Sequence, residues 1–303
     1  MWFAAAVSSA LLFGLAGWWM KVSQMQGGSS AYLFLGLYLS GTAGFGVHGL
    51  VEDTLRGALN DPRIWIAGLL IGAGSALGNA LFMKALACGP ASLTSPLTNM
   101  NIVLVIALGT FAYDEALTGF ELAGVLLLLT AVVLISVKFG GKQTAIRPKW
   151  HLYVGLGILL FALRNGGLKV TEEMGLGGTP VLFVAYLLSF GGFAWVAARE
   201  RTQVRSLGKL GAHSLQASTL DRSSRANAVG LKWGLLAGLF SYAGLQLYAV
   251  ALQTGQASIA GPIFAANSLV VAAGAIVLYR ERLNALQWSA FVLTFAGLIL
   301  IRL

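Results

Sequence analysis

Long apolar runs alternate with short polar connectors along the whole chain, and ten runs can be marked, at about 2–20, 31–51, 64–86, 91–113, 120–137, 152–168, 180–198, 231–252, 257–279 and 286–301. Most hold close to 20 residues, which at ~1.5 Å per helical residue matches the ~30 Å hydrocarbon core of a bilayer. Lipid offers backbone N–H and C=O groups no partner, so such runs fold as helices. The pattern predicts an all-α integral membrane protein with ten transmembrane helices.

The runs are not independent of one another. Residues 89–115 and 255–281 align without a gap: each reads Gly-x-Ala-Ser, then Pro96 or Pro262, Asn101 or Asn267, Tyr113 or Tyr279, and Glu115 or Glu281. This displacement of 166 also relates Gly68 to Gly234 and Leu134 to Leu300. Upstream, Phe13 recurs as Phe161, Lys21 as Lys169, Tyr38 as Tyr186 and Phe45 as Phe193, all displaced by 148. The chain reads as a duplication. Its first five-helix unit is 1–137, its basic linker 138–149 and its second unit 150–303, with the 18-residue difference between the two displacements inserted at about 199–229. Five crossings per unit make the second enter the membrane from the opposite side. The fold class is therefore two inverted five-helix repeats, an arrangement that commonly encloses a midplane site opening alternately to each side.

Composition agrees and removes alternatives. With 57% hydrophobic and 10% charged residues the chain is too apolar for a soluble domain of 303 residues. The net charge of +9 sits in connectors, where basic residues orient membrane proteins, so nucleic acid is not an expected partner. Loop charges place both termini outside the cytoplasm. The insertion, rich in Arg, Lys, Ser and Ala, reads as a solvated or interfacial loop. Glycines at 68, 72, 74, 78, 230, 234 and 238 have the spacing that lets helix backbones approach in lipid. Cys88 is the single cysteine, there is no phosphate loop or metal-ligand cluster, and neither cofactor nor metal is expected.

Candidate chemistry is sparse. All 11 carboxylates fall at or beyond run ends, which argues against a proton-coupled cation antiporter of the kind that uses a mid-membrane acid. Glu115 and Glu281 read as caps or ion-pair partners in tight turns. Lys21, Lys84 and Lys169 are expected to snorkel to headgroups. Arg164 lies too deep for that, and its fork of donors suits a carboxylate or phosphate in a cavity. Pro96 and Pro262 each free a backbone carbonyl in a membrane helix, beside Ser95, Asn99, Asn101 and Asn267. Tyr242 and Gln246 complete the expected substrate-binding set.

The two copies of Gly-x-Ala-Ser followed by Pro96 or Pro262, each ending in Glu115-x-Leu117 or Glu281-x-Leu283, together with Lys21 after the first helix, resemble the EamA-like family of the drug/metabolite transporter superfamily. The resemblance covers essentially the whole chain. It implies a central cavity and carriage of amino acids, other metabolites or drugs, often outward. The superfamily's small four-helix members use a first-helix carboxylate that this chain lacks, and many members keep both termini in the cytoplasm, against the charge count. The expected function is a non-enzymatic secondary carrier of an amino acid or related zwitterion or anion in the bacterial inner membrane. A multidrug or neutral-metabolite exporter is the alternative, and a membrane enzyme acting on a lipid or isoprenoid is the reading from another class. Besides substrate and lipid no partner is expected, and monomer and homodimer stay open.

Overall fold

The computed structural model describes residues 1–88, 94, 97–134, 147–210, 213–279 and 285–302, with the side chains at 86–87, 204–210, 213–220, 272, 275–279, 287 and 302 left aside. Ser95, Pro96 and Glu281 lie outside the described residues. Among those that are described every regular element is a helix, with no strand.

In chain order the helices are α1 (Trp2–Met25), α2 (Ser30–Val51), α3 (Leu55–Ala58), α4 (Pro62–Cys88), α5 (Asn101–Ala112), α6 (Gly119–Leu134), α7 (Lys149–Glu173), α8 (Gly178–Leu210), α9 (His213–Thr254), α10 (Ala257–Ala265), α11 (Asn267–Tyr279) and α12 (Ala285–Arg302). Among the described residues six segments are long and apolar enough to cross a membrane: Trp2–Met25, Ser30–Val51, Pro62–Ala85, Lys149–Glu173, Gly178–Gln203 and Asp221–Thr254. Leu97–Ala112, Gly119–Leu134, Ala257–Val271 and Trp288–Ile301 are shorter apolar helices. Large apolar side chains such as Phe111, Phe120, Val292 and Phe295 stand exposed on the outside, as lipid contact requires.

The duplication seen in sequence reappears in local geometry. α1 and α7 end in the same turn. Gly27 and Gly175, 148 residues apart, take φ of 72° and 70°, and the residue after each closes a bond to the carbonyl five positions back, Gly28 N–H to Ser23 O and Leu176 N–H to Thr171 O, both at 2.9 Å. This is the left-handed glycine cap that satisfies the last carbonyls of a helix. Packing follows the same register. The pairs α1–α9 and α7–α4 correspond, as do α2–α9 with α8–α4 and α1–α11 with α7–α5, while α2–α8 and α6–α12 pair corresponding elements with each other.

The expected glycines make these crossings. A Cβ on Gly230 would lie 2.5 Å from the Ser29 carbonyl, and one on Gly234 would overlap that of Leu33. Gly68 and Gly72 meet Val184 and Ala185 of α8, and Gly74 and Gly78 meet Leu160 and Phe161 of α7. Gly234→Leu is expected to push α9 off α2 and destabilise the protein by about 1–3 kcal/mol, read as a lowered unfolding midpoint in detergent.

The 199–229 segment departs from the expected loop. Its described residues, 199–210 and 213–229, continue α8 and α9 as helix, so that these run 33 and 42 residues. Arg, Ala, Leu and Gln favour helix wherever packing does not decide, and the segment contains no proline.

The chain alternates direction, and its connections gather at two ends. At one, here the terminal face, a Cβ on Gly255 would meet the Trp2 ring, and Glu115 meets the start of α10. At the other, the linker face, Ser29 N–H bonds Ala226 O and Arg147 N–H bonds Cys88 O, at 2.9 and 3.0 Å.

Candidate functional site

A cavity of about 390 Å³ opens between α1, α2, α4, α5, α7 and α11 and reaches the linker face at Gln24, Gly28 and Ser30. Its charged lining among the described residues is Lys21 and Arg164, both cationic. Polar lining comes chiefly from amides and hydroxyls, including Asn79, Asn99, Asn165 and Ser241, and apolar lining from Phe13, Phe161 and Phe264.

Arg164 is the centre of this wall. It is 7% exposed, and its guanidinium carbon lies 5.3 Å from the Phe13 ring centre and 5.1 Å from that of Phe161. Those rings occupy corresponding places in α1 and α7, so one cation is held between a matched pair of aromatic faces. Its own counterpart, 148 residues earlier, is Ala16. The wall is thus charged from one repeat only. Gly74 lets α4 approach the Arg164 backbone nitrogen, to which a Cβ would come within 3.0 Å, and this close packing buries the residue. No carboxylate among the described residues pairs with it.

An amide chain fixes the guanidinium. Arg164 Nε donates to Asn165 Oδ1 at 3.0 Å, Asn165 Nδ2 to Asn101 Oδ1 at 2.9 Å, and Asn101 Nδ2 to the Thr98 carbonyl at 2.7 Å. Asn101 opens α5 directly after a turn at Met100, and Asn267 opens α11 after a turn at Ala266. Asn267 Nδ2 likewise donates to the Phe264 carbonyl at 2.7 Å. The two asparagines, 166 residues apart, therefore act alike, each satisfying a carbonyl freed where a membrane helix is interrupted. Pro262 lies inside α10, whose nine residues are all buried.

Beside the cavity each repeat carries the same internal hydrogen bond, Tyr38 to Ser75 at 2.8 Å in the first and Tyr186 to Ser241 at 2.6 Å in the second. The tyrosine rings touch edge to face at 5.2 Å. Sequence reasoning passed over Ser75, Asn79, Tyr186, Ser241, Phe13 and Phe161 as site residues. The two displacements applied residue by residue would have found the Tyr–Ser and Phe pairs.

Of the expected set, Asn99, Asn101, Arg164 and Asn267 come together at the cavity. Tyr242 and Gln246 do not. They form a second cluster, in which Tyr242 Oη lies 2.8 Å from His48 Nδ1, Gln246 Nε2 donates to Thr179 Oγ1 at 2.7 Å and Glu52 Oε2 lies 3.0 Å from His48 Nε2. One residue is about 100° of helix, so Ser241 faces the cavity while Tyr242 and Gln246, four apart, share another side of α9.

The terminal face is closed by an ion network. Glu115 accepts from the first two N–H groups of α10, Oε1 from Ala257 and Oε2 from Ser258, both at 2.8 Å. Lys169 Nζ lies 3.2 Å from Glu115 Oε1 and 2.6 Å from Glu173 Oε1. Glu115 is both cap and ion-pair partner, but to α10 and α7 of the other repeat and not within its own tight turn. Burial disfavours its charged form, but the Ser258 and Ala257 N–H bonds and Lys169 outweigh this and hold the carboxyl below its ordinary range. Lys169 does not snorkel, because a buried acceptor is nearer than the headgroups; it is 6% exposed. Lys21, its counterpart, lines the cavity. Lys84 is exposed.

Known proteins resemble this chain in sequence and in fold. The profile of the EamA-like transporter family matches residues 1–137 and 179–303. The probable glucose uptake protein GlcU of Staphylococcus aureus, found alike in several strains, is 29% identical over 154 residues, 48% of this chain and 53% of its own. The chain spans about half the length of these curated relatives. A crystal structure 13% identical in sequence covers 100% of this chain and 98% of its own with a TM-score of 0.71, a likeness of fold.

Proposed function

The chain belongs to the EamA-like transporter family of the drug/metabolite transporter superfamily, and on that premise we propose that this multi-pass membrane protein is a secondary carrier of a small organic anion in the bacterial inner membrane. Ten membrane helices in two inverted repeats alternate a central cavity between the two faces. The matched end turns, helix pairings and Tyr–Ser bonds support this arrangement, since two halves built alike can exchange conformations at equal cost.

The observation that carries the substrate reading is Arg164. A guanidinium buried in a cavity wall with no carboxylate beside it among the described residues leaves its charge for the solute to balance. Asn99, Asn165 and Asn267 offer amides to the rest of the molecule. A zwitterionic amino acid fits less well, because the described lining gives an ammonium no carboxylate. With Lys21, Lys149 and the basic insertion on the linker face, the loop charges make the open mouth cytoplasmic, in keeping with the export that the family resemblance implies.

A neutral sugar is the second reading. It is favoured by the amide and aromatic lining and by the probable glucose uptake named for the relatives that match over about half their length.

A thermal-shift screen of the detergent-purified protein against organic acids, amino acids, sugar phosphates, neutral sugars and cationic drugs, followed by liposome flux, separates these. Organic acids or phosphates at 100 times Kd are expected to stabilise by about 2.7 kcal/mol. Stabilisation by neutral sugars alone supports the second reading, and a response to cationic drugs alone rejects both.

A further inference from the structure

The cavity wall does not use Glu172, at the terminal-face end of α7. Its Oε1 is buried without a hydrogen-bond partner. It rests where α8 begins and α9 passes: a Cβ on Gly178 would lie 2.8 Å from this oxygen and 2.9 Å from the Ala249 Cβ. The neighbouring cation cannot neutralise it by contact, because Lys169 is engaged by Glu115 and Glu173. The residue as a whole is half-buried, and around it α8 and α9 bring uncharged groups within hydrogen-bonding reach of the carboxyl, the Gly178 amide and Gln253. At the start of α4, Asp61 and Arg63 are paired with each other at 2.7 Å. An anionic oxygen enclosed in this way is costly, and a bound proton removes the cost.

The repeat register says what becomes of this carboxyl when the protein opens the other way. Residue 172 corresponds to residue 24, and the two hold the same backbone place: Gly27 N–H bonds the Gln24 carbonyl at 3.1 Å and Gly175 N–H bonds the Glu172 carbonyl at 2.9 Å. Gln24 lines the cavity mouth on the linker face, which is open. Exchange of the two repeats' conformations puts Glu172 at the mouth on the terminal face. Gln24 cannot titrate and Glu172 can, so the two mouths differ in one ionisable group.

We propose that Glu172 is the proton-binding site of this carrier, protonated when the terminal face is closed and releasing its proton to water when that face opens. The step breaks the carboxyl O–H bond and leaves a carboxylate in the wet mouth and a hydrated proton outside. It rests on the carrier reading, because it needs the alternation. Glu172 is one of the carboxylates that the sequence places at a run end; helix-end position did not show that the packing of α7, α8 and α9 buries one of its oxygens.

The test needs no known substrate. In a Cys88→Ser background, Ala16→Cys places a single thiol on the cavity wall, and a membrane-impermeant maleimide applied from the terminal face in proteoliposomes reads the opening of that side. The labelling rate, corrected for thiolate formation with a control cysteine on an exposed loop, is expected to rise about tenfold per pH unit until it saturates, as release of one proton requires. Glu172→Gln is expected to label slowly and independently of pH and to lose a protonated-carboxyl band in infrared pH-difference spectra. Retention of the wild-type pH slope or of that band in Glu172→Gln overturns the proton site, as does pH-independent labelling of the parent from the terminal face. Absence of labelling from that face at every pH, with labelling from the linker face, overturns the alternating carrier itself.

Discussion

Arg164→Ala is expected to abolish transport of an anionic substrate while leaving the protein folded. Truncating one partner of a buried, hydrogen-bonded charge pair costs about 2–5 kcal/mol of binding, which at about 1.4 kcal/mol per tenfold is roughly a 30- to 3,000-fold loss in apparent affinity. Folding is spared for a specific reason. No described carboxylate pairs with Arg164, so its removal strands no opposite charge in the interior. The loss on the protein side is the bond to Asn165 Oδ1, about 1 kcal/mol, and contact with the Phe13 and Phe161 rings. Arg164→Lys keeps the charge but not the two-pronged geometry and should recover part of the flux. Measurement is by counterflow in liposomes with the anion from the thermal screen. Unchanged flux in Arg164→Ala rejects the role, and a deficit shared equally by a neutral sugar assigns the residue to cavity shape.

The largest effect on stability is expected from Glu115→Ala. This side chain ties the α5–α6 connection to the start of α10 and to α7, and its removal leaves Lys169 buried with Glu173 as its remaining acid. Breaking a buried pair from one side costs about 3–5 kcal/mol, and loss of an N-terminal cap adds about 1 kcal/mol. The unfolding midpoint in detergent should fall well beyond that of a typical surface substitution. Glu115→Ala combined with Lys169→Met should be less damaged than Glu115→Ala alone, because it leaves no uncompensated cation. The pH dependence follows from the direction of the shift. Glu115 is held below the ordinary glutamate value of 4.5 in the folded protein, so its contribution is complete above that value and is lost as the pH falls through the lower, folded one. Wild type is expected to lose stability over that acid interval and Glu115→Ala to lose less. Equal acid sensitivity of the two proteins would refute the assignment.

How much of this the sequence discloses depends on the residue. The Asn101 and Asn267 pair and Pro262 announce interrupted helices, and the depth of Arg164 announces a charge that needs a wet or polar setting. Tyr242 and Gln246 carry the right chemistry but occupy another side of α9, turned from the cavity, where Ser241 is found. A soluble helix would have marked that difference by amphipathicity. In a membrane the lipid-facing and protein-facing sides are both apolar, so the phase of a helix leaves little trace in its sequence.

The sequence by itself determined the apolar runs, the two displacements of 148 and 166 and the glycines that permit close crossings, because length, period and small-residue spacing are local properties. Tertiary structure alone decided that Phe13 comes to Arg164, opposite Phe161 of its own helix, that Lys169 finds Glu115, and that α8 and α9 bury one oxygen of Glu172. Each of those contacts depends on the relative rotation and approach of helices distant in the chain, which packing sets and no local pattern encodes.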